Sequence, residues 1–136
     1  MALTVDIHSF SYHLSQIPED PTGHGGGFVF DCRGLPNPGR EAIYRTMSGL
    51  DAPVQDYFLN FPEVARFSEA VAVLVLQTLQ TYQERNFAHL MVSFGCTGGQ
   101  HRSVYQADML RMRLFQEGRY LVEISHQEQF RWLKQN

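Results

Sequence analysis

The stretch HLMVSFGCTGGQHRS, His89 to Ser103, decides how this chain is read. Leu90 to Phe94 forms a short apolar run that stops at Gly95-Cys96-Thr97-Gly98-Gly99, and a helical pattern begins near His101. Strand, glycine-rich turn and helix in that order aim several backbone N–H groups at one point. The positive end of a helix dipole lies beneath that point, which favours an anion. Thr97 and Ser103 add hydroxyl donors, and Arg102 a planar fork suited to phosphate oxygens. A lone Gly-Gly would indicate only a tight turn. Three glycines crowded with Cys, Thr, His, Arg and Ser into nine positions predict an oxyanion site.

Outward from this stretch the chain alternates strands and helices. Leu3, Val5 and Ile7 alternate with polar residues and predict a half-buried strand through Tyr12. Residues 17–27 hold two prolines and four glycines and read as a surface loop. Phe28 to Arg33 is a second strand whose apolar start predicts a central position. It runs into a connection stiffened by Pro36 and Pro38. Asp31 and Arg33 at its C-terminal end stand where ligands gather in α/β proteins, with pairing to each other as the alternative. Glu41 to Met47 reads as a short helix. Asp51 caps another that runs through Phe58, with Pro53 in its first turn. Glu63 to about Arg85 is a long helix with Val64, Phe67, Val71, Leu74, Leu79 and Tyr82 facing inward. After the central loop, Val104, Ala107, Leu110 and Leu114 line a helix that Gly118 ends. Residues 119–125 form the last strand, followed by His126. In the tail, Phe130, Trp132 and Leu133 are expected to pack down. The order β-β-α-α-β-α-β predicts a single-domain α/β sandwich, a four-stranded mixed sheet flanked by helices.

Composition narrows the partners. At 136 residues, with 43% hydrophobic and 12% aromatic content, the chain is long and apolar enough for one folded domain. It shows no membrane-length apolar run and no signal-peptide layout, so cytoplasmic residence is the expectation. Cys32 and Cys96 form no CxxC pair, and the six histidines are scattered, so no metal or cofactor is expected. A net charge of −3 argues against a dedicated nucleic-acid surface, despite the grouping of Arg111, Arg113 and Arg119. The apolar long helix leaves room for a homo-oligomer.

Cys96 to Ser103 satisfies C-x-x-G-x-x-R-S and resembles the phosphate loop of the cysteine-dependent protein phosphatases. That resemblance implies Cys96 as nucleophile and Arg102 as the clamp on the equatorial oxygens. A helix N-terminus and a neighbouring Arg lower a thiol pKa in such a setting. Gly95 stands where those enzymes carry His, and the general acid would have to be Asp31, Asp51 or Asp56.

A second resemblance covers more of the chain. Gly95-Cys96-Thr97-Gly98-Gly99-x-His101-Arg102-Ser103-Val104 resembles the signature of the C-terminal domain of the RNase adapter RapZ family. Three further stretches match in the same order: Ser9-Phe10-Ser11-Tyr12, then Phe30-Asp31-Cys32-Arg33-Gly34-Leu35-Pro36-Asn37-Pro38, then Ser48-Gly49-Leu50-Asp51-x-Pro53-Val54. The resemblance implies a site for a phosphorylated amino sugar, glucosamine-6-phosphate. It places phosphate contacts at Thr97, Gly98, Gly99, His101 and Arg102, supported by Asp31, Arg33, Asn37 and Arg45, and the Ser103 hydroxyl joins the candidate phosphate-binding set as a donor. In the family's full-length proteins the domain also contributes to RNA binding. Gly39 stands where the family carries His, and Gln100 where it often has Lys. The tail lacks a basic cluster, and no G-x-x-x-x-G-K-[ST] occurs. The expectation is therefore a stand-alone regulatory module binding a sugar phosphate or nucleotide, without a catalytic group. An RNA adapter and a phosphatase are the alternatives.

Overall fold

Thr4–Ser11 (β1), Gly27–Asp31 (β2), His89–Cys96 (β3) and Leu121–His126 (β4) pair into one sheet in the order β2-β3-β1-β4. The structure is a computed structural model that describes residues 2–133. Every neighbouring pair of strands is parallel, which corrects the expectation of a mixed sheet. Direction is set by the connections. A parallel pair needs a long crossover, commonly a helix, and residues 12–26 make that crossover without one.

Two further expectations change. β2 lies at the sheet edge, with Val29 46% exposed, whereas β1 sits between β3 and β4. Glu41 to Met47 does not form an α-helix. The segment holds one 3₁₀ turn, Ala42–Tyr44, and another, Pro38–Arg40, precedes it.

Four α-helices follow the sequence pattern closely: Ala52–Phe58 (α1), Pro62–Glu84 (α2), Arg102–Glu117 (α3) and Gln129–Leu133 (α4). Val71, Val75 and Leu79 of α2 join Ala107, Leu110 and Leu114 of α3 over Val5, Ile7, Leu90, Val92 and Phe94 of the sheet. At ~100° per residue, Val75 lies midway between Val71 and Leu79 on the helix. Leu74 falls off that stripe and is exposed, contrary to the expectation of core. α3 stops at Gly118, whose φ of 71° gives the left-handed cap. In the tail Trp132 is buried and Phe130 exposed; the Leu133 side chain and residues 134–136 lie outside the described residues.

The core therefore lies on one face of the sheet. The other face, running through Asp6, His8, Met91 and Ser93, is crossed by the segment from β1 to β2. Among the described residues no helix is long and apolar enough to cross a membrane.

Candidate anion-binding site

The C-terminal ends of β1, β2 and β3 meet at one edge, where Ser11 is in register with Cys96 and Asp31 with Gly95. That edge is where open parallel sheets bind ligands. The loop leaving β3 is tied down from below: the Ser11 hydroxyl donates to the Thr97 carbonyl, and Tyr12 N–H donates to the Cys96 carbonyl at 2.9 Å. Gly95 is required by packing, since a Cβ there would lie 2.5 Å from both Phe10 and Tyr12 ring atoms. Those rings fill the space in which the phosphatase pattern would place its His. Gly99 has φ +67°, and a Cβ on it would meet Glu128 at 2.8 Å, so the loop turns tightly over α4.

Helix α3 begins without a side-chain cap. The N–H groups of Gly98 to Arg102 have no acceptor among the described residues. They are the orphan donors every helix start exposes. Arg102 is 7% exposed, and its Nη1 donates to the carbonyls of Arg33 at 2.8 Å and Leu35 at 3.3 Å, while Nη2 reaches Thr97 Oγ1 at 3.5 Å. Arg45 donates from Nε to the Gly39 carbonyl at 3.1 Å and from Nη2 to that of Arg40 at 3.3 Å. Carbonyls fix both guanidinium groups without cancelling their charge, and among the described residues neither is ion-paired. Between them lies a cavity of about 250 Å³ lined by Asn37, Gly39, Arg45, Thr97, His101 and Arg102, with Cys96, Gly98 and Gln100 completing it.

The wall carrying Arg45 is held by Gln100, whose side-chain N–H donates to the carbonyls of Arg45 at 2.8 Å and Met47 at 2.7 Å. Gln100 N–H donors thus serve a structural purpose that the sequence does not display. Gly49 completes the seam, since a Cβ there would lie 2.4 Å from the His101 carbonyl oxygen. His101 Nε2 lies 2.9 Å from the Tyr44 carbonyl, so it is the protonated nitrogen of the neutral ring. Burial, chiefly, lowers the His101 pKa below its ordinary value. Nδ1 is then an acceptor beside Gly39, suited to a ligand hydroxyl and not to a phosphate dianion.

The remaining candidates are distributed around this cavity. Asn37 caps the first 3₁₀ turn by accepting from Gly39 N–H at 3.0 Å. Asp31 and Arg33 form a bidentate pair, with contacts of 2.7 to 3.1 Å, and Arg33 lies 3.8 Å over the Tyr12 ring. The hydrogen bond from Arg33 is the main reason the Asp31 carboxyl titrates below its ordinary value. Arg33 faces a neighbouring cavity of about 630 Å³ that also holds Arg40, Glu41, Tyr57 and Glu63, and that shares Asn37, Thr97 and Arg102 with the first. Ser103 is fully buried; its hydroxyl lies 3.1 Å from Cys96 Sγ. Cys32 is buried as well, and burial pushes its thiol well up. Asp51 accepts from Ser48 N–H at 2.7 Å, away from Cys96.

The family model described as the RapZ C-terminal domain matches residues 3–129. A nucleotide-binding protein of Ruegeria sp. (strain TM1040), TM1040_2438, is 42% identical over 126 residues, which is 93% of this chain and 40% of that protein. Nucleotide-binding proteins of Alkalilimnicola ehrlichii and Shewanella halifaxensis are 40% and 41% identical over the same share of this chain, covering 41% and 42% of their own lengths. The chain thus spans about 40% of the curated relatives it matches. With the signature loop, the parallel sheet and a match from residue 3 to residue 129, this chain belongs to the RapZ C-terminal domain family.

Proposed function

We propose that this chain is a regulatory binding module for a phosphorylated small molecule, a sugar phosphate or a nucleotide, held between Arg45, Arg102 and the start of α3. The observation that carries this reading is the pair of arginines fixed by neutral carbonyls around an uncapped helix start. Such a site is short of negative charge before any ligand arrives. Thr97, Gly98 and Arg102 take phosphate oxygens, and His101 accepts from a hydroxyl. Gly99 and Ser103 shape the loop from behind. The larger neighbouring cavity receives the rest of the ligand, where Glu41 and Glu63 accept from hydroxyl or amino groups and Tyr57 offers an aromatic wall. This chemistry suits an amino-sugar phosphate such as glucosamine-6-phosphate. The relatives' names, nucleotide-binding proteins, support the phosphorylated class.

Calorimetric titration with inorganic phosphate, glucosamine-6-phosphate, other sugar phosphates and nucleotides tests the reading. Saturable binding that weakens in both Arg45→Ala and Arg102→Ala is the expected result. No heat with any of them at millimolar concentration would sink it.

A phosphatase is the second reading, because Cys96 lines the cavity and Ser103 both places its hydroxyl 3.1 Å and its N–H 3.5 Å from Sγ. Against it, Asp31 is paired with Arg33 and Asp51 accepts from Ser48 N–H, and neither Asp51 nor Asp56 lines the cavity that holds Cys96. Cys96→Ser separates the two readings: a binding module keeps its affinity, whereas a phosphatase loses all turnover of an activated phosphate ester. For RNA, with a chain charge of −3, the discriminating observation is affinity that falls steeply with salt.

A further inference from the structure

The fold brings two of the six scattered histidines, His24 and His89, together at the other end of β3. His89 opens that strand and Cys96 closes it, so the two lie roughly 23 Å apart at ~3.3 Å per residue. Over His89 passes the segment joining β1 to β2, which carries Asp20 and His24. One nitrogen from each of His24 and His89 and one carboxylate oxygen of Asp20 all lie within 4.8 Å of one another. The two rings stack, with centroids 6.2 Å apart and planes 15° from parallel.

We propose that Asp20, His24 and His89 form a site for a divalent transition-metal ion of the zinc class, separate from the anion cavity. Three features support it. His89 is placed as a metal ligand is: Nε2 faces Asp6 Oδ2 at 3.6 Å, and Nδ1 faces Asp20 Oδ1 at 3.9 Å. Nδ1 is buried and has no hydrogen-bond partner among the described residues. A carboxylate behind the distal nitrogen orients the ring and raises the basicity of the ligating one. Asp20 is prepared as well, its side chain only 2% exposed. It accepts from Thr22 N–H at 2.9 Å, Thr22 Oγ1 at 2.6 Å and Gly26 N–H at 3.3 Å. The Thr22 hydroxyl bridges Asp20 to His24 Nδ1. Finally, the donor set is right: two imidazoles and one carboxylate suit zinc and its neighbours, with a fourth position left for water.

Ligands ~2.0 Å from a tetrahedral ion stand ~3.3 Å apart. Closing the 3.9 Å between Nδ1 and Oδ1 takes about 0.6 Å, and no pair in the set, all within 4.8 Å, needs more than about 1.5 Å of loop movement. The ion would staple the helix-free crossover onto the polar face of the sheet, where Ser93 Oγ is also buried without a hydrogen-bond partner among the described residues.

The test is titration of the metal-free protein with Zn²⁺ alone against a chromophoric chelator, with Co²⁺ absorption as a readout of coordination. One ion per chain is expected, with low-symmetry d–d bands for Co²⁺. His24→Ala and His89→Gln should each weaken binding at least about tenfold, while His13→Ala should match wild type. His24 is exposed, so His24→Ala retains the fold, which its melting curve in chelator verifies. Equal Zn²⁺ affinity in wild type and His24→Ala would overturn the proposal. So would a wild type that takes up no stoichiometric Zn²⁺. Phosphate binding reports separately, because neither substitution touches the anion cavity.

Discussion

Two connections leave this sheet at the same edge and behave as opposites. The loop after β3 is five residues long, Thr97 to His101, and is held by hydrogen bonds to its Thr97 and Gln100 carbonyls and by Gly95 and Gly99, where a Cβ has no room. The connection after β1 travels the length of the sheet over its polar face. Its glycines Gly23, Gly25 and Gly26 have positive φ and open space around them. In the first, small residues are demanded by neighbours; in the second, by the backbone turn alone. One is a preorganised cradle. The other is positioned by a few polar side chains.

The contrast predicts a gradient of sensitivity. Gly95→Val should be the most damaging change, because its Cβ would overlap Phe10 and Tyr12 within the sheet. We expect a loss of ~2–3 kcal/mol in urea unfolding, and a smaller loss would mean that the rings can move aside. Arg102→Ala removes a charged clamp whose hydrogen bonds are worth ~1.5–3 kcal/mol. Roughly 100-fold weaker sugar-phosphate binding is expected in calorimetry, and an unchanged affinity would move the phosphate elsewhere. Gly25→Ala in the long connection places a Cβ in open space at φ +90°, so only the backbone term remains. It should cost ~1 kcal/mol, with phosphate affinity unaltered.

Acid sharpens the same comparison. Burial lowers the pKa of both His101 and His126 relative to the unfolded chain. The unfolded state therefore binds more protons below its ordinary His pKa, near ~6.5, and stability must fall as pH drops through that value. Thermal unfolding from pH 7.5 to 5 should show this decline, and His101→Gln should flatten it.

Much of this was legible in the sequence, for reasons that differ by region. The strand, turn and helix from His89 to Glu117 were legible because they are contiguous in the chain, so local pattern and tertiary geometry coincide. α2 and α3 were equally plain from their apolar stripes. Strand direction and order were not. Phe28-Val29-Phe30 reads alike at an edge or a centre, and a parallel crossover without a helix looks like any surface loop. The partners of Asp31 and Asn37 could be anticipated from spacing, since each bonds a residue two positions on. Gln100 and Gly49 could not, as what they hold lies some fifty positions away in the chain. The histidines near β3 were opaque for the same reason: nothing in their spacing connects His24 with His89.

The hydrogen bonds around the cradle have a consequence for how it comes into being. Arg102 reaches a carbonyl 69 positions earlier, and Ser11 a carbonyl 86 positions later. Contacts so distant along the chain close late, after the loop entropy between them has been lost. The cavity should therefore be absent from any partly folded species and emerge only when β1, β2 and β3 have zipped together. A bound phosphate compound then reports the last step of folding, and its release the first step of unfolding.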